Sequence, residues 1–451
     1  MKAKSHTTYN IPHTTYAHVD ADSFFASVLV RKDPRLKGKP LLALGMGGGG
    51  FVIAATYEAK AKGVKTGMRV TDALKLCPEA LQIPSDFRET GIASHQIEEI
   101  LAGVCPQIEQ MSVDEWYLDL NACVGGEPPD LFGWAKEVQQ TILKRTALSV
   151  SIGVGPSKLL AKMAGEYRKP GGITILDEKV RNLKSEIRNK SEARMMKTSD
   201  FKLQISDFLK DRSAAAIPGI GSARQIHTEA HGWKTAWDIA TAPADLLQKL
   251  FGRPGLDLQR ELLGESVSPV TTEHAPPQSI SRARSFSATP DCSFLWAHLL
   301  RHLEYTVMKM RRQGLATRGI TVWMRDHEYH HQSLHKRLPQ PMDTEHQIQP
   351  YIEECFEKMW RHCVGAYGHT PLRDMPLQKC TQTGLALWDL RPQGSLQYSL
   401  FQEPEKINRD AEVQRALDSL HERYGRNAVT RAAALAVKSG TSPQMDFTVY
   451  E

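Results

Sequence analysis

Two short runs rich in β-branched and aromatic residues, Thr15-Tyr16-Ala17-His18-Val19 and Trp116-Tyr117-Leu118, carry carboxylates at their ends, and no other feature constrains the chain as strongly. Such runs favour pleated, half-buried strands. Asp20 closes the first run, with Asp22 two residues on, and Asp114-Glu115 opens the second after Ser112-Val113. Acidic groups beside a core are costly unless a divalent cation neutralises them, and carboxylate oxygens are the hard ligands Mg²⁺ prefers. Two such ions held about 3.5–4 Å apart activate an attacking oxygen and stabilise a leaving pyrophosphate, as phosphoryl and nucleotidyl transfer require. Any one of these carboxylates alone reads more simply as a turn residue or helix cap.

Composition narrows the class. A chain of 451 residues exceeds one ordinary core and should divide into several domains. Its 41% hydrophobic and 24% charged residues are those of a globular protein, and no apolar run approaches a membrane span. Met1-Lys2-Ala3-Lys4-Ser5-His6 is followed by no apolar stretch, so a cytoplasmic location without membrane contact is expected. The seven cysteines are odd in number and include no Cys-x-x-Cys pair, which supports neither a disulfide framework nor a zinc site. A net charge of +6 fits a nucleic-acid partner without demanding one. Basic residues gather in 179–212, Arg282-Ala283-Arg284, Lys309-Met310-Arg311-Arg312 and Lys336-Arg337, which suits separate phosphate contacts.

The flanks of the carboxylates say more than the carboxylates do. Asp20-Ala21-Asp22-Ser23-Phe24-Phe25-Ala26-Ser27-Val28 and Ser112-Val113-Asp114-Glu115-Trp116-Tyr117-Leu118-Asp119 closely resemble the two catalytic carboxylate motifs of the Y-family, or translesion, DNA polymerases. Ser151-Ile152-Gly153-Val154-Gly155-Pro156-Ser157-Lys158-Leu159-Leu160-Ala161-Lys162, then Arg168-Lys169-Pro170-Gly171-Gly172, resembles that family's next motif, in matching order and spacing. The resemblance covers nearly the whole chain and points to the bacterial DNA polymerase IV and UmuC-like branch.

That resemblance implies an α+β multidomain protein of right-hand polymerase form. Its mixed-sheet palm would occupy 1–44 and 93–177, small fingers 45–92, a helix-hairpin-helix thumb 178–272, an α+β little finger 273–390 and a C-terminal tail 391–451. Local patterns agree. Apolar Ala59, Val64, Met68, Ala73, Leu74 and Leu76 read as fingers helices, and Ile217-Pro218-Gly219-Ile220-Gly221 opens a helix as a helix-hairpin-helix does. The glycine run at 47–50 lacks the Gly-Lys-Ser/Thr of a phosphate loop, because Phe51-Val52-Ile53 follows, and reads as a hairpin connection. The charged stretch 178–212 reads as a helical insertion. Strands are expected at 279–286, 319–325 and 383–387, with helices at 294–312 and 348–359.

By the same resemblance, Asp20, Asp114, Glu115 and the Ala21 carbonyl would ligate two Mg²⁺ ions, with Mn²⁺ as a substitute. Asp22 is a weaker candidate ligand, for which a turn or salt-bridge residue is an equal reading. Ser23, Phe24, Phe25, Tyr57, Lys60 and Lys169 would meet an incoming deoxynucleoside triphosphate, with Phe25 as the bulky gate against a 2′-hydroxyl. Gly219, Gly221, Arg282 and Arg284 would contact primer-template DNA. Gly394 to Gln402 looks like the bacterial sliding-clamp-binding peptide, with Gln397, Leu400 and Phe401 as anchors. The expected activity is template-directed addition of deoxynucleotides opposite damaged bases. Three positions depart from the pattern: Lys60 replaces an Arg, Ala54 a Ser or Thr, and Leu29 a Glu. They keep open a second reading, a catalytically weak clamp-binding scaffold. A cyclase or other nucleotidyltransferase sharing the palm is disfavoured by the helix-hairpin-helix and the clamp peptide.

Overall fold

The computed structural model describes residues 14–45, 50–177, 202–272, 275–365, 379–393, 404–425 and 429. They fall into two compact units that part between 274 and 275. Among the described residues, no helix is long and apolar enough to cross a membrane.

Among its described residues the first unit carries nine strands: β1 Tyr16–Ala21, β2 Leu41–Leu44, β3 Val52–Ala55, β4 Leu81–Pro84, β5 Ile108–Ser112, β6 Glu115–Asp119, β7 Val150–Gly155, β8 Ile173–Asp177 and β9 Lys202–Gln204. Six of them form a mixed sheet in the order β5-β6-β1-β7-β8-β9. β1 runs antiparallel to both neighbours, whereas β7, β8 and β9 pair in parallel. Side chains alternate across a strand. Ala17, Val19 and Ala21 therefore enter the core with Trp116, Leu118 and Ile152, beneath helices Phe87–Ala102 and Leu131–Thr146. Tyr16, His18 and Asp20 take the opposite face.

Helix Lys158–Tyr167, capped by the Ser157 hydroxyl, lies against that opposite face. Its approach is unusually close. A Cβ on Gly153 of β7 would fall 2.1 Å from both the Ala161 carbonyl oxygen and the Gly165 nitrogen, so only glycine permits the contact.

The remaining three strands, ordered β3-β2-β4, carry the short helices Tyr57–Ala61 and Val70–Leu76 around Leu42, Leu44, Val52, Ala59 and Val64. Five helices between Ile205 and Leu262 gather around Phe208, Ile217, Ile220, Ile239, Leu247 and Phe251, and share a core with Leu160 and Met163 of helix Lys158–Tyr167. The expectation of a helical 178–212 needs correction where it is described. Lys202–Gln204 is an edge strand parallel to β8, and the helix begins only at Ile205. Three residues are too few to leave a periodic signal, and the open edge of β8 supplies their main-chain partners.

The second unit holds β10 Ser279–Thr289, β11 Leu315–Asp326, β12 His331–Met342 and β13 Cys380–Pro392, ordered β10-β13-β11-β12 and antiparallel throughout. Helices Cys292–Arg312 and Glu345–Gly365 enclose a core of Leu295, Leu299, Leu303, Ile320, Val322, Leu385 and Leu387. The expected strands and helices are present with longer bounds. β12 was not anticipated, because His331 to Met342 is polar and holds Pro339 and Pro341. It is an edge strand, where prolines and charges guard against pairing with another chain.

Among the described residues of this unit, two histidines are buried. His302 is 1% exposed, with Nε2 3.1 Å from the Thr383 carbonyl, and His298 stacks on Phe286 at 5.2 Å. Burial, with Arg282 adding to it, pushes His302 down to about 3, and burial with Arg284 pushes His298 down to about 4. The folded-state values lie below those of the unfolded chain. Their contribution is therefore whole above about pH 6.5 and is lost as pH falls toward the folded values. His302 alone should cost roughly 2 kcal/mol between pH 7 and pH 5. Chemical unfolding of the full chain at the two pH values should show this loss, and His302→Gln should lose measurably less.

Candidate active site

The pairing of β1 with its neighbours builds the site. Asp20 faces Glu115 across to β6 and Ser151 across to β7. One residue on, the Ala21 N–H donates to the Asp114 carbonyl at 2.9 Å, which stitches the β5–β6 turn to the end of β1. Asp20 and Glu115, from two distant stretches of sequence, thus meet at adjoining strand ends, with Asp114 tied beside them through its main chain. Ligating atoms of His18, Asp20 and Glu115 lie within 4.8 Å of one another. The Asp114 carboxylate stands outside that group and accepts a hydrogen bond from the Ser112 hydroxyl.

Each inner carboxylate meets an amine. Lys169 Nζ is 2.7 Å from Asp20 Oδ1 and also reaches Glu166, while Lys162 donates to Glu115 Oε1. Burial pushes the Asp20 carboxyl up to about 7 although Lys169 pulls against it. Burial also opposes the charge on Glu115, but there His18 and Lys162 prevail and hold the carboxyl at about 2. Desolvation dominates one carboxylate and counter-charge the other. Hard oxygen donors in this density, one of them poorly solvated, fit a divalent cation.

Asp22 does not join the group. It is 3% exposed and accepts from Ser149 Oγ at 2.6 Å, Ser151 Oγ at 2.7 Å and the Gly171 N–H at 2.9 Å, with the Tyr57 hydroxyl at 3.4 Å. Of its two readings, the geometry favours the turn residue. It ties the end of β1 to the start of β7 and to the loop that carries Lys169.

Around this centre the residues expected to meet a nucleotide converge. Ser23 opens helix Phe24–Lys32 in the left-handed region, φ 47° and ψ 45°, a conformation that costs a serine about 1–2 kcal/mol. Its hydroxyl accepts from Lys60 Nζ at 2.7 Å, and the same amine lies 4.6 Å from the centre of the Tyr57 ring. Burial lowers the Lys60 pKa, with Lys169 adding to the effect. Phe24 is inside the core at 2% exposed, so its ring packs the interior. Phe25 is half-buried and stands edge-on to Phe24 at 6.0 Å and to Phe87 at 5.8 Å. Its floor is Ala26, Leu29, Leu41, Ala43 and Ala54, so two of the three departures share one apolar cluster.

Residues 19–166 match the impB/mucB/samB family, and residues 277–400 match its C-terminal domain. DNA polymerase IV of Moorella thermoacetica is 30% identical over 427 residues, covering 92% of this chain and 95% of the relative. The chain belongs to this family, the Y-family DNA polymerases. DNA polymerase IV of Xanthomonas axonopodis pv. citri is 32% identical over 299 residues, 65% of this chain and 75% of the relative. A solved Y-family DNA polymerase chimera of Dbh and Dpo4 shares the fold with a TM-score of 0.67 at 24% identity, covering 84% of this chain and 99% of that one.

This Y-family polymerase is a DNA-directed DNA polymerase of the translesion type whose chemistry uses divalent metal ions, and the inactive-scaffold reading is not favoured. Away from the centre, Gly219 adopts φ 96° and Gly221 caps helix Ser222–Ala230. In the second unit, the Arg282 guanidinium lies 4.5 Å from the centre of the Tyr305 ring and Arg284 is exposed. Gln397, Leu400 and Phe401 lie outside the described residues. Sequence reasoning missed His18 and Lys162 beside Glu115. A signal for His18 existed, since it sits two residues before Asp20 and so shares its face of the strand.

Proposed function

We propose that Asp20, Asp114, Glu115 and the Ala21 carbonyl hold two Mg²⁺ ions, with Mn²⁺ able to replace them, and that this polymerase adds deoxynucleotides to primer-template DNA opposite damaged bases in the cytoplasm. The observation that carries this reading is the register of β1 against β6, which sets Asp20 opposite Glu115 with Asp114 bonded to the end of β1. When bound, the ions would activate the primer hydroxyl and neutralise the leaving pyrophosphate.

The chain's own side chains do the rest. Lys169, Lys60, Tyr57 and Ser23 receive the triphosphate, and Lys60 meets it as a point charge where an arginine would offer a fork. Phe25 excludes a 2′-hydroxyl. The main-chain N–H groups beyond Gly219 and Gly221 take a DNA phosphate, and Arg282 and Arg284 serve the duplex from the little finger. The division of the chain near 274 supports a little finger beginning at 273, with palm, fingers and thumb before it. The test is primer extension by the purified full chain on intact and lesion-bearing templates. Extension should require Mg²⁺ or Mn²⁺ and stop with chelator; no extension with either metal would overturn the reading in favour of a scaffold.

The same proposal includes tethering to a DNA sliding clamp by Gln397, Leu400 and Phe401. One polar and two apolar anchors in a groove would keep the active site near the primer end and raise its effective concentration. Replacing all three by alanine should leave basal extension unchanged and abolish stimulation by a loaded clamp. Stimulation equal to the wild type would show that these residues do something else.

A further inference from the structure

Lys169 sits on a loop that lies mostly at the surface, so packing alone does not fix it. Arg168, Pro170 and Gly171 are exposed, and Gly171 turns with φ 67°, in the left-handed region that favours glycine. Hydrogen bonds at Gly171 hold the loop instead. Its N–H donates to Asp22 Oδ2 at 2.9 Å and to Ser151 Oγ at 3.0 Å, and its carbonyl accepts from Gln139 Nε2 at 3.0 Å. Asp22 is the strongest of these partners, because an ionised acceptor makes a shorter and stronger bond than a neutral one. It is itself anchored at every polar group. Its carboxylate accepts from Ser149 Oγ at 2.6 Å and Ser151 Oγ at 2.7 Å, its N–H donates to the Ser149 carbonyl at 2.9 Å, and its own carbonyl accepts from Ser27 Oγ at 2.6 Å. At 3% exposed, it is shielded from water that could replace those partners.

We propose that Asp22 is a positioning residue for the incoming nucleotide, holding Gly171 so that the Lys169 amine stays beside Asp20, where the triphosphate is received. This rests on the reading of Lys169 as a triphosphate ligand. Asp22 lies two residues after Asp20, and Gly171 two residues after Lys169. One hydrogen bond between them therefore sets the spacing of carboxylate and amine, which stand 2.7 Å apart. The same carboxylate lies 3.4 Å from the hydroxyl of Tyr57, another group read as meeting the triphosphate. Gln139 does not duplicate this link, since it ties the loop to β7 through the Val150 carbonyl.

The experiment uses the full chain with a dideoxy-terminated primer-template and Mg²⁺, and reads the dissociation constant of the matching deoxynucleoside triphosphate by calorimetric titration. Wild type, Asp22→Ala, Asp22→Asn, Lys169→Ala and the double variant of Asp22→Ala with Lys169→Ala are compared. Thermal unfolding and primer-template affinity report whether each is folded. Asp22→Ala should weaken nucleotide binding about 10- to 100-fold, the cost of misplacing a group by about an ångström, and leave primer-template affinity unchanged. Asp22→Asn should stay within about threefold of wild type, because its amide oxygen can still accept from Gly171 while the serine hydroxyls turn to suit its N–H groups. The double variant should bind nucleotide no more than about threefold more weakly than Lys169→Ala, since a residue that acts through another adds nothing once that one is gone. Wild-type nucleotide affinity in folded Asp22→Ala, single losses that multiply in the double variant, or a folded Asp22→Asn as weak as Asp22→Ala would overturn the proposal. Should Asp22→Ala fail to fold, Asp22→Ser takes its place in the same comparison, its hydroxyl one bond too short to reach Gly171. A Lys169→Ala variant that binds nucleotide normally would instead remove the triphosphate reading beneath it.

Discussion

Replacing Asp114 and Glu115 together by alanine is expected to lower nucleotide addition at least about a thousandfold, the loss that follows from removing several kcal/mol of transition-state stabilisation. Primer-template binding should stay within a few-fold of wild type, because phosphate contacts spread over the chain dominate DNA affinity. The fold should survive. Both residues sit where the β5–β6 turn meets the strand, whereas the buried weight of β6 is Trp116 and Leu118. Lys162 would lose its partner but is open enough to reach water. Single-turnover extension and a binding titration on the same double variant check both halves. Undiminished extension would remove these carboxylates from the chemistry.

Phe25→Ala should raise the use of ribonucleotides relative to deoxynucleotides by roughly 10- to 100-fold, the range that shape selection in a pocket commands. The change removes a clash instead of a bond, so deoxynucleotide use should fall much less than discrimination does. Phe25 is suited to this because its ring is braced edge-on by Phe24 and Phe87 and stands on Leu29 and Ala54. If kcat/KM for the two sugars keeps its wild-type ratio, Phe25 is packing and nothing more.

The carboxylates were legible because acidic residues at the ends of apolar, β-branched runs are conspicuous in one dimension. The glycines of 217–221 and the long helix from 292 announced themselves in the same way, through turn chemistry and period. What stayed hidden depends on neighbours distant in the chain. Asp22 became a hydrogen-bond hub only through Ser149, Ser151 and Gly171, more than a hundred residues away. His18 read as one more residue of a strand until Glu115 was set 2.9 Å from it. β12 is an edge strand whose polar sequence disguises its pairing, and β9 is too short to show a pattern. The departures at Leu29 and Ala54 were visible singly, but that they meet beneath Phe25 was not.

Gly153 and Gly165 place helix Lys158–Tyr167 against β7 with only hydrogen atoms between their backbones. That contact serves as the datum from which the height of Lys162 above Glu115 is measured. A single added methyl there would act as a shim, lifting the helix and Lys162 away from Glu115 while Asp20, Asp114 and Glu115 kept their identity. The catalytic geometry of this polymerase is thus calibrated on the concealed side of its palm, and variation at two residues that carry no chemistry could retune it.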